Sequence, residues 1–125
     1  MRTKTQLQSS PESSSSARRF VRRSLAQMPS ELIEAAELLT SELVTNAAIH
    51  SHSPIEVEID LDLDSLKISV SDDSGQLPIA TQAGHMDEHG RGLAIVGSLA
   101  EEWGATKRSK GKTVWITMKL PSAKA

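Results

Sequence analysis

The chain has 125 residues, with 16 acidic side chains against 14 Lys and Arg, a formal net charge of −2, 38% hydrophobic and 24% charged residues. That is one domain's worth of sequence with globular composition, and it lacks the basic footprint of a nucleic-acid binder. The absence of cysteine excludes disulfides, thiolate metal sites and cysteine nucleophiles; Phe20, Trp103 and Trp115 are the sole aromatics, so Leu, Ile, Val and Ala must supply most of the core and a base-stacking platform is not expected.

Residues 1–16 are polar and end in the run Ser13 to Ser16, which predicts a flexible N-terminal segment ahead of a folded domain over residues 17–120 and a short tail over 121–125. From Ala17 to Met28, Phe20, Val21, Leu25 and Met28 recur at helical spacing, with Arg18, Arg19, Arg22 and Arg23 outside them. Pro29 closes this helix, and Ser30 reads as the N-cap of the next. Glu31 to about His50 contains no Gly or Pro and carries a broad apolar face of Leu32, Ala35, Ala36, Leu39, Leu43, Ala47 and Ala48. Residues 55–63 then alternate, with Ile55, Val57, Ile59, Leu61 and Leu63 against Glu56, Glu58, Asp60 and Asp62, as in a strand with one buried and one wet face. After a turn at Asp64-Ser65, Leu66, Ile68 and Val70 continue the alternation into Asp72.

Residues 73–90 form a long polar loop, and a connection of that length in a compact domain is often functional. Gly92 to Glu102 reads as a helix on Leu93, Ile95, Val96, Leu99 and Ala100. Trp103 to Arg108 and Thr113 to Leu120 read as a hairpin, with Val114, Ile116 and Met118 on one face and Trp115 and Thr117 on the other. One-faced strands with amphipathic helices imply an α+β, two-layer sandwich whose helices cover one face of the sheet. No apolar run approaches the ~18 residues of a membrane span, and the polar N-terminus has no signal-peptide core, so the cytoplasm is the expected compartment.

Three segments carry candidate chemistry. Glu42 and Asn46 stand four residues apart on the long helix and project from one face. An amide oxygen can coordinate a hard cation such as magnesium, and a carboxylate one turn away can take a proton from a hydroxyl; alone, the pair reads more simply as a surface contact. Asp72, at the end of an apolar strand, can accept a hydrogen bond from an exocyclic amine or can close an Asx turn. In His89-Gly90-Arg91-Gly92-Leu93, two glycines precede a helix start, where free amides attract phosphate, although Gly-x-Gly by itself is a weak signal.

In this order and on these elements, the three segments resemble the GHKL nucleotide-binding superfamily of gyrase B and the histidine-kinase catalytic domains, and within it the anti-sigma-factor serine kinases of the RsbW and SpoIIAB type. The resemblance covers roughly residues 17–120. Glu42 to His50 is similar to the family's N box, Asp72 to Gly75 to its adenine-binding G1 segment, Gly90 to Leu93 to its G2 segment, and Gly111-Lys112-Thr113 to the last adenine-side motif. The resemblance implies a Bergerat-type fold with a mixed, mostly antiparallel sheet, and ATP with magnesium as cofactors. It implies that Asn46 binds magnesium at the phosphates, that Glu42 is the general base, and that Asp72 takes the adenine amine. Thr113 would join that adenine network through water. Gly75 belongs to G1, and His89, Gly90, Arg91, Gly92 and Leu93 would hold the phosphates, with 76–89 as a lid and His50 in support or merely structural. The implied partners are a STAS-domain anti-anti-sigma factor, a sigma factor and a second copy of the chain, with neither nucleic acid nor membrane.

One departure is clear. The G1 segment usually carries Gly two residues after its Asp, where this chain has Ser74, and Gly75 follows one place late. Starting the segment at Asp73 would align Gly75, but the alternation Ile68, Val70, Asp72 puts Asp73 on the other face. Other patterns fall away. Gly111-Lys112-Thr113 mimics a P-loop end, yet Thr106 stands where that motif needs Gly and a strand follows. His85 and His89 have metal-ligand spacing in a Gly-containing loop with no Cys nearby, a weak signal; the arginines suit a solvated helix face. Two function classes stay open: a serine/threonine kinase that regulates a sigma factor, and a non-catalytic module with the same fold that only grips its partner. A detached histidine-kinase catalytic domain fits less well, since no phospho-accepting helix hairpin is present.

Overall fold

The computed structural model describes residues 1–51, 53–74 and 100–120. In chain order these form β1 (Arg2–Leu7), α1 (Ser13–Ser24), α2 (Ser30–His50), β2 (Ile55–Leu61), β3 (Ser65–Asp72), β4 (Ala100–Lys107) and β5 (Lys112–Lys119). The strands make one sheet in the order β1-β2-β3-β5-β4, and every pairing among them is antiparallel. The α+β two-layer architecture is as expected, with α1 and α2 packed on each other and over β1, β2 and β3.

Strand alternation sets the core. Leu61, Leu66 and Met118 lie in one cross-strand row, Ile59, Ile68 and Ile116 in the next, and Val57, Val70, Val114 and Ala105 in a third. Ile59, Ile68, Leu66 and Val57 are fully buried beneath Ala36, Leu39, Leu43, Val44 and Ala47 of α2 and Ala17, Phe20 and Val21 of α1. Truncating one such Ile or Leu to Ala costs about 2–5 kcal/mol, because removed contacts and a residual cavity add. The opposite face carries Glu56, Glu58, Lys67, Ser69 and Trp115, and the Lys67 ammonium sits 5.1 Å from the centre of the Trp115 ring.

Five expectations change. The strand predicted over 55–63 ends at Leu61, and Leu63, expected on its buried side, lies between β2 and β3 and is 96% exposed. Residues 1–16 are not a loose leader: Arg2 to Leu7 pair along β2 from Asp60 to Ile55, and Ser13 to Ser16 are the first turn of α1. The strand escapes a sequence reading because its inward side chains are Thr3, Thr5 and Leu7, polar enough to look like a tail, while backbone pairing holds an edge strand whatever its polarity. The first helix ends at Ser24, not Met28; a Leu25-to-Met28 turn follows, with Met28 N donating to Leu25 O at 2.9 Å. Pro29 occupies the N-cap position of α2 and Ser30 is already helical. At the far end, residues 100–102 belong to β4 and not to a helix reaching Glu102; the rest of that predicted helix lies outside the described residues. Pairing of Ala100 with Met118 and Glu102 with Thr117, with a register shift between them, supplies a backbone partner that helical spacing does not reveal.

Candidate functional site

Asp72 closes β3 on the helix-facing side, in line with Ile68 and Val70. Its side chain is wholly buried, and the two carboxylate oxygens differ. Oδ1 accepts the Ser74 backbone N–H at 2.7 Å and the Lys112 ammonium at 3.1 Å. Oδ2 lies 3.0 Å from Lys112 Nζ, close enough for charge attraction, but without hydrogen-bond alignment it remains a buried acceptor with no donor. An orphaned acceptor in the interior is costly unless something supplies the missing hydrogen. The Asx turn read from the sequence is formed at Oδ1, and Oδ2 has the chemistry to accept an exocyclic amine.

The β4–β5 hairpin sets this geometry. Arg108 N donates to Gly111 O at 2.9 Å and closes the turn. Gly111 has φ of 96°, and any Cβ there would overlap the Asp72 carbonyl and lie 2.5 Å from Asp73 Cα. Only glycine allows so close an approach in this backbone region. The seating brings Lys112 directly opposite Asp72 in the β3–β5 register.

Glu42 and Asn46 are half-buried on α2 beside the buried Leu43 and Ala47. Neither has a hydrogen-bond or ion-pair partner among the described residues, so their polar ends are available. The C-terminal end of α2 is tied down twice. Ser9 Oγ donates to Ser51 O at 2.7 Å and approaches Ala48 O at 3.3 Å, satisfying carbonyls that a helix end leaves open. Ser51 Oγ donates to Asp73 Oδ1 at 2.9 Å, which joins the end of α2 to the end of β3. Asn46 and Asp72 are thereby gathered at one end of the molecule, Asn46 standing about 7.5 Å along the helix axis from Ser51. Asp73 is exposed, and the hydroxyls of Ser53 and Ser51 hold its carboxyl below the usual aspartate range. It is an anchor for these two ends.

Thr113 is not brought together with Asp72. It faces the opposite side of the sheet from Asp72, with its hydroxyl 2.8 Å from that of Ser71. Strand alternation gives the helix-facing place to Lys112 instead, a residue the sequence reading passed over; counting back in twos from Ile116 through Val114 would have found it. Gly75, His89, Gly90, Arg91, Gly92 and Leu93 lie outside the described residues, as does the lid over 76–89. Among the described residues no three His, Asp or Glu side chains gather into a metal site, and no helix is long and apolar enough to cross a membrane. A cleft of about 310 Å³ at the sheet end is lined by Gln6, Glu56, Ser71, Arg108 and Lys110 and reaches Ser53, Pro54, Asp72 and Asp73. Gln6, Glu56 and Ser71 share a row on the outer face, away from the side on which the Asp72 carboxylate lies.

No protein of curated function matches the sequence. Residues 7–118 match the histidine kinase-like ATPase domain. That span starts in β1 and ends in β5, taking in both helices, Asp72 and the Glu42–Asn46 face, and the chain belongs to the histidine kinase-like ATPase domain family.

Proposed function

We propose that the protein is an ATP-dependent serine/threonine kinase acting as an anti-sigma factor, which phosphorylates a serine of a STAS-domain anti-anti-sigma partner. The observation that carries the ATP-binding part is the buried Asp72 carboxylate, one oxygen of which lacks a donor, at the end of the fold where α2 is anchored. The kinase and anti-sigma parts rest on the resemblance of the Glu42 to His50 and Gly111 to Trp115 segments.

Each side chain has a task in this reading. Asp72 accepts the amine of the base. Asn46 presents its amide oxygen to magnesium, which would be held jointly with phosphate oxygens, as a single protein ligand suits this strongly hydrated ion. Glu42, one turn earlier, takes the proton of the attacking serine hydroxyl. The hydroxyl oxygen bonds to the γ-phosphorus as the bond to the β–γ bridging oxygen breaks, and ADP leaves; magnesium held by Asn46 would supply the positive charge that this transfer needs.

The test separates binding from transfer. Asn46→Ala should abolish magnesium-dependent ATP binding in calorimetry. Glu42→Ala should still bind ATP but stop transfer of labelled γ-phosphate to STAS-domain proteins. Normal transfer by the Glu42 variant would remove Glu42 as the base. The engagement of Asp72 by Lys112 and the serine at position 74 favour a second reading, a non-catalytic module that sequesters its partner. Nucleotide binding with no phosphoprotein formed from any STAS partner would support that alternative.

A further inference from the structure

We propose that Lys112 is a base-specificity residue of the nucleotide site, donating a hydrogen bond to a ring nitrogen next to the exocyclic amine that Asp72 accepts; this rests on the ATP-binding reading above. Lys112 is paired with Asp72 in the sheet register, and its side chain is 6% exposed. A lysine ammonium has three N–H donors. One goes to Asp72 Oδ1 at 3.1 Å, Oδ2 of the same carboxylate lies 3.0 Å away without hydrogen-bond alignment, and no acceptor outside Asp72 faces the ammonium among the described residues. Burying such a group is expensive, and a single carboxylate does not satisfy it. Beside it stands Asp72 Oδ2, an acceptor with no donor. The sheet and the Gly111 turn therefore hold a donor and an acceptor side by side as an ion pair, with an ammonium N–H and an Oδ2 lone pair left over.

The ligand edge complementary to such a pair carries an amine next to an unprotonated ring nitrogen. An aminopurine presents that arrangement on two edges, the amine flanked by N1 on one and by N7 on the other. A carboxylate alone reads only the amine; the added ammonium reads the nitrogen as well. Both groups are closed to solvent here.

Calorimetric titration of the full chain with ATP, 1-deaza-ATP and 7-deaza-ATP tests this. The wild-type protein should bind one of the deaza analogues more weakly than ATP by about tenfold or more, the size of one hydrogen bond from a charged donor. In Lys112→Met that difference should collapse, since the donor is gone. The ratio of affinities within one protein does not depend on the fraction folded, so a purely structural role for Lys112 leaves it unchanged. If Lys112→Met does not fold, the charge-neutral double variant Lys112→Met with Asp72→Asn provides the same ratio. Equal binding of all three nucleotides by wild type, or discrimination that persists without Lys112, overturns the proposal while leaving ATP binding intact. Failure of the wild-type protein to bind any adenine nucleotide overturns the ATP reading itself, and this one with it.

Discussion

Replacing Gly111 with Ala tests whether the hairpin tip positions the base-side carboxylate. The residue has φ of 96°, and its added Cβ would overlap the Asp72 carbonyl and stand 2.8 Å from the carbonyl carbon. Holding an L-residue in the left-handed region costs about 1–2 kcal/mol. Relieving an overlap in a packed region costs about 1–3 kcal/mol more. Here the neighbour is backbone, so either β3's end or the turn must shift, and the total should be about 2–5 kcal/mol. For a domain of this size that corresponds to a Tm drop of about 8–20 °C at roughly 4 °C per kcal/mol. Gly104→Ala is the control. Its Cβ would stand 2.6 Å from the Trp115 ring on the outer face, so it destabilises the same hairpin without reaching Asp72. Thermal unfolding followed by tryptophan fluorescence gives Tm, and calorimetry with ATP, at a temperature where each variant is folded, gives affinity. Gly111→Ala should lose stability and about tenfold or more in ATP affinity, the size of one hydrogen bond; Gly104→Ala should lose stability alone. A Gly111 variant that keeps both its melting temperature and its affinity would show that the hairpin is not seated on Asp72.

Three other outcomes are expected. Thr40 is fully buried, and its hydroxyl has no partner among the described residues, so Thr40→Val should raise stability by about 1 kcal/mol in chemical denaturation; a loss would mean that the hydroxyl is satisfied. The Asp73 carboxyl is held below the aspartate range by Ser53 and Ser51, so its stabilising effect is complete above the unfolded value of about 3.9 and fades as pH falls through the lower folded value. The stability gap between wild type and Asp73→Asn should accordingly stay constant from neutral pH to about pH 5 and narrow below about pH 4, and a gap that widens with acid would contradict the linkage. Deleting residues 1–7 should lower Tm and promote self-association in light scattering, because it bares the backbone edge of β2, on which Ile55, Val57 and Ile59 are fully buried; unchanged behaviour would return these residues to the status of a loose tail.

The paired alternation of residues 55–61 and 66–72 was legible, because a strand with one apolar face announces which residues turn inward; Leu63, read as inward, lies past the end of β2 and is 96% exposed. The same rule placed Asp72 inward and Asp73 outward, and the unbroken run from Glu31 to His50 placed Glu42 and Asn46 on one helix face. These are local consequences of backbone geometry, and the chain spells them out. The cross-strand partner of Asp72 was not legible in the same way. The resemblance of Gly111-Lys112-Thr113 pointed to Thr113, whereas the face a residue occupies depends on where the strand begins, and here β5 starts at Lys112.

What the chain determines alone is periodicity: which segments are helix or strand, and which side of each is apolar. Tertiary pairing decided the rest. It made a strand of the polar Arg2–Leu7 segment because β2 offered its backbone, drew residues 100–102 into β4, and set Lys112 against Asp72 across two strands forty residues apart in sequence. Such contacts depend on partners that are remote along the chain, and no local pattern encodes a hydrogen bond whose other half comes from elsewhere.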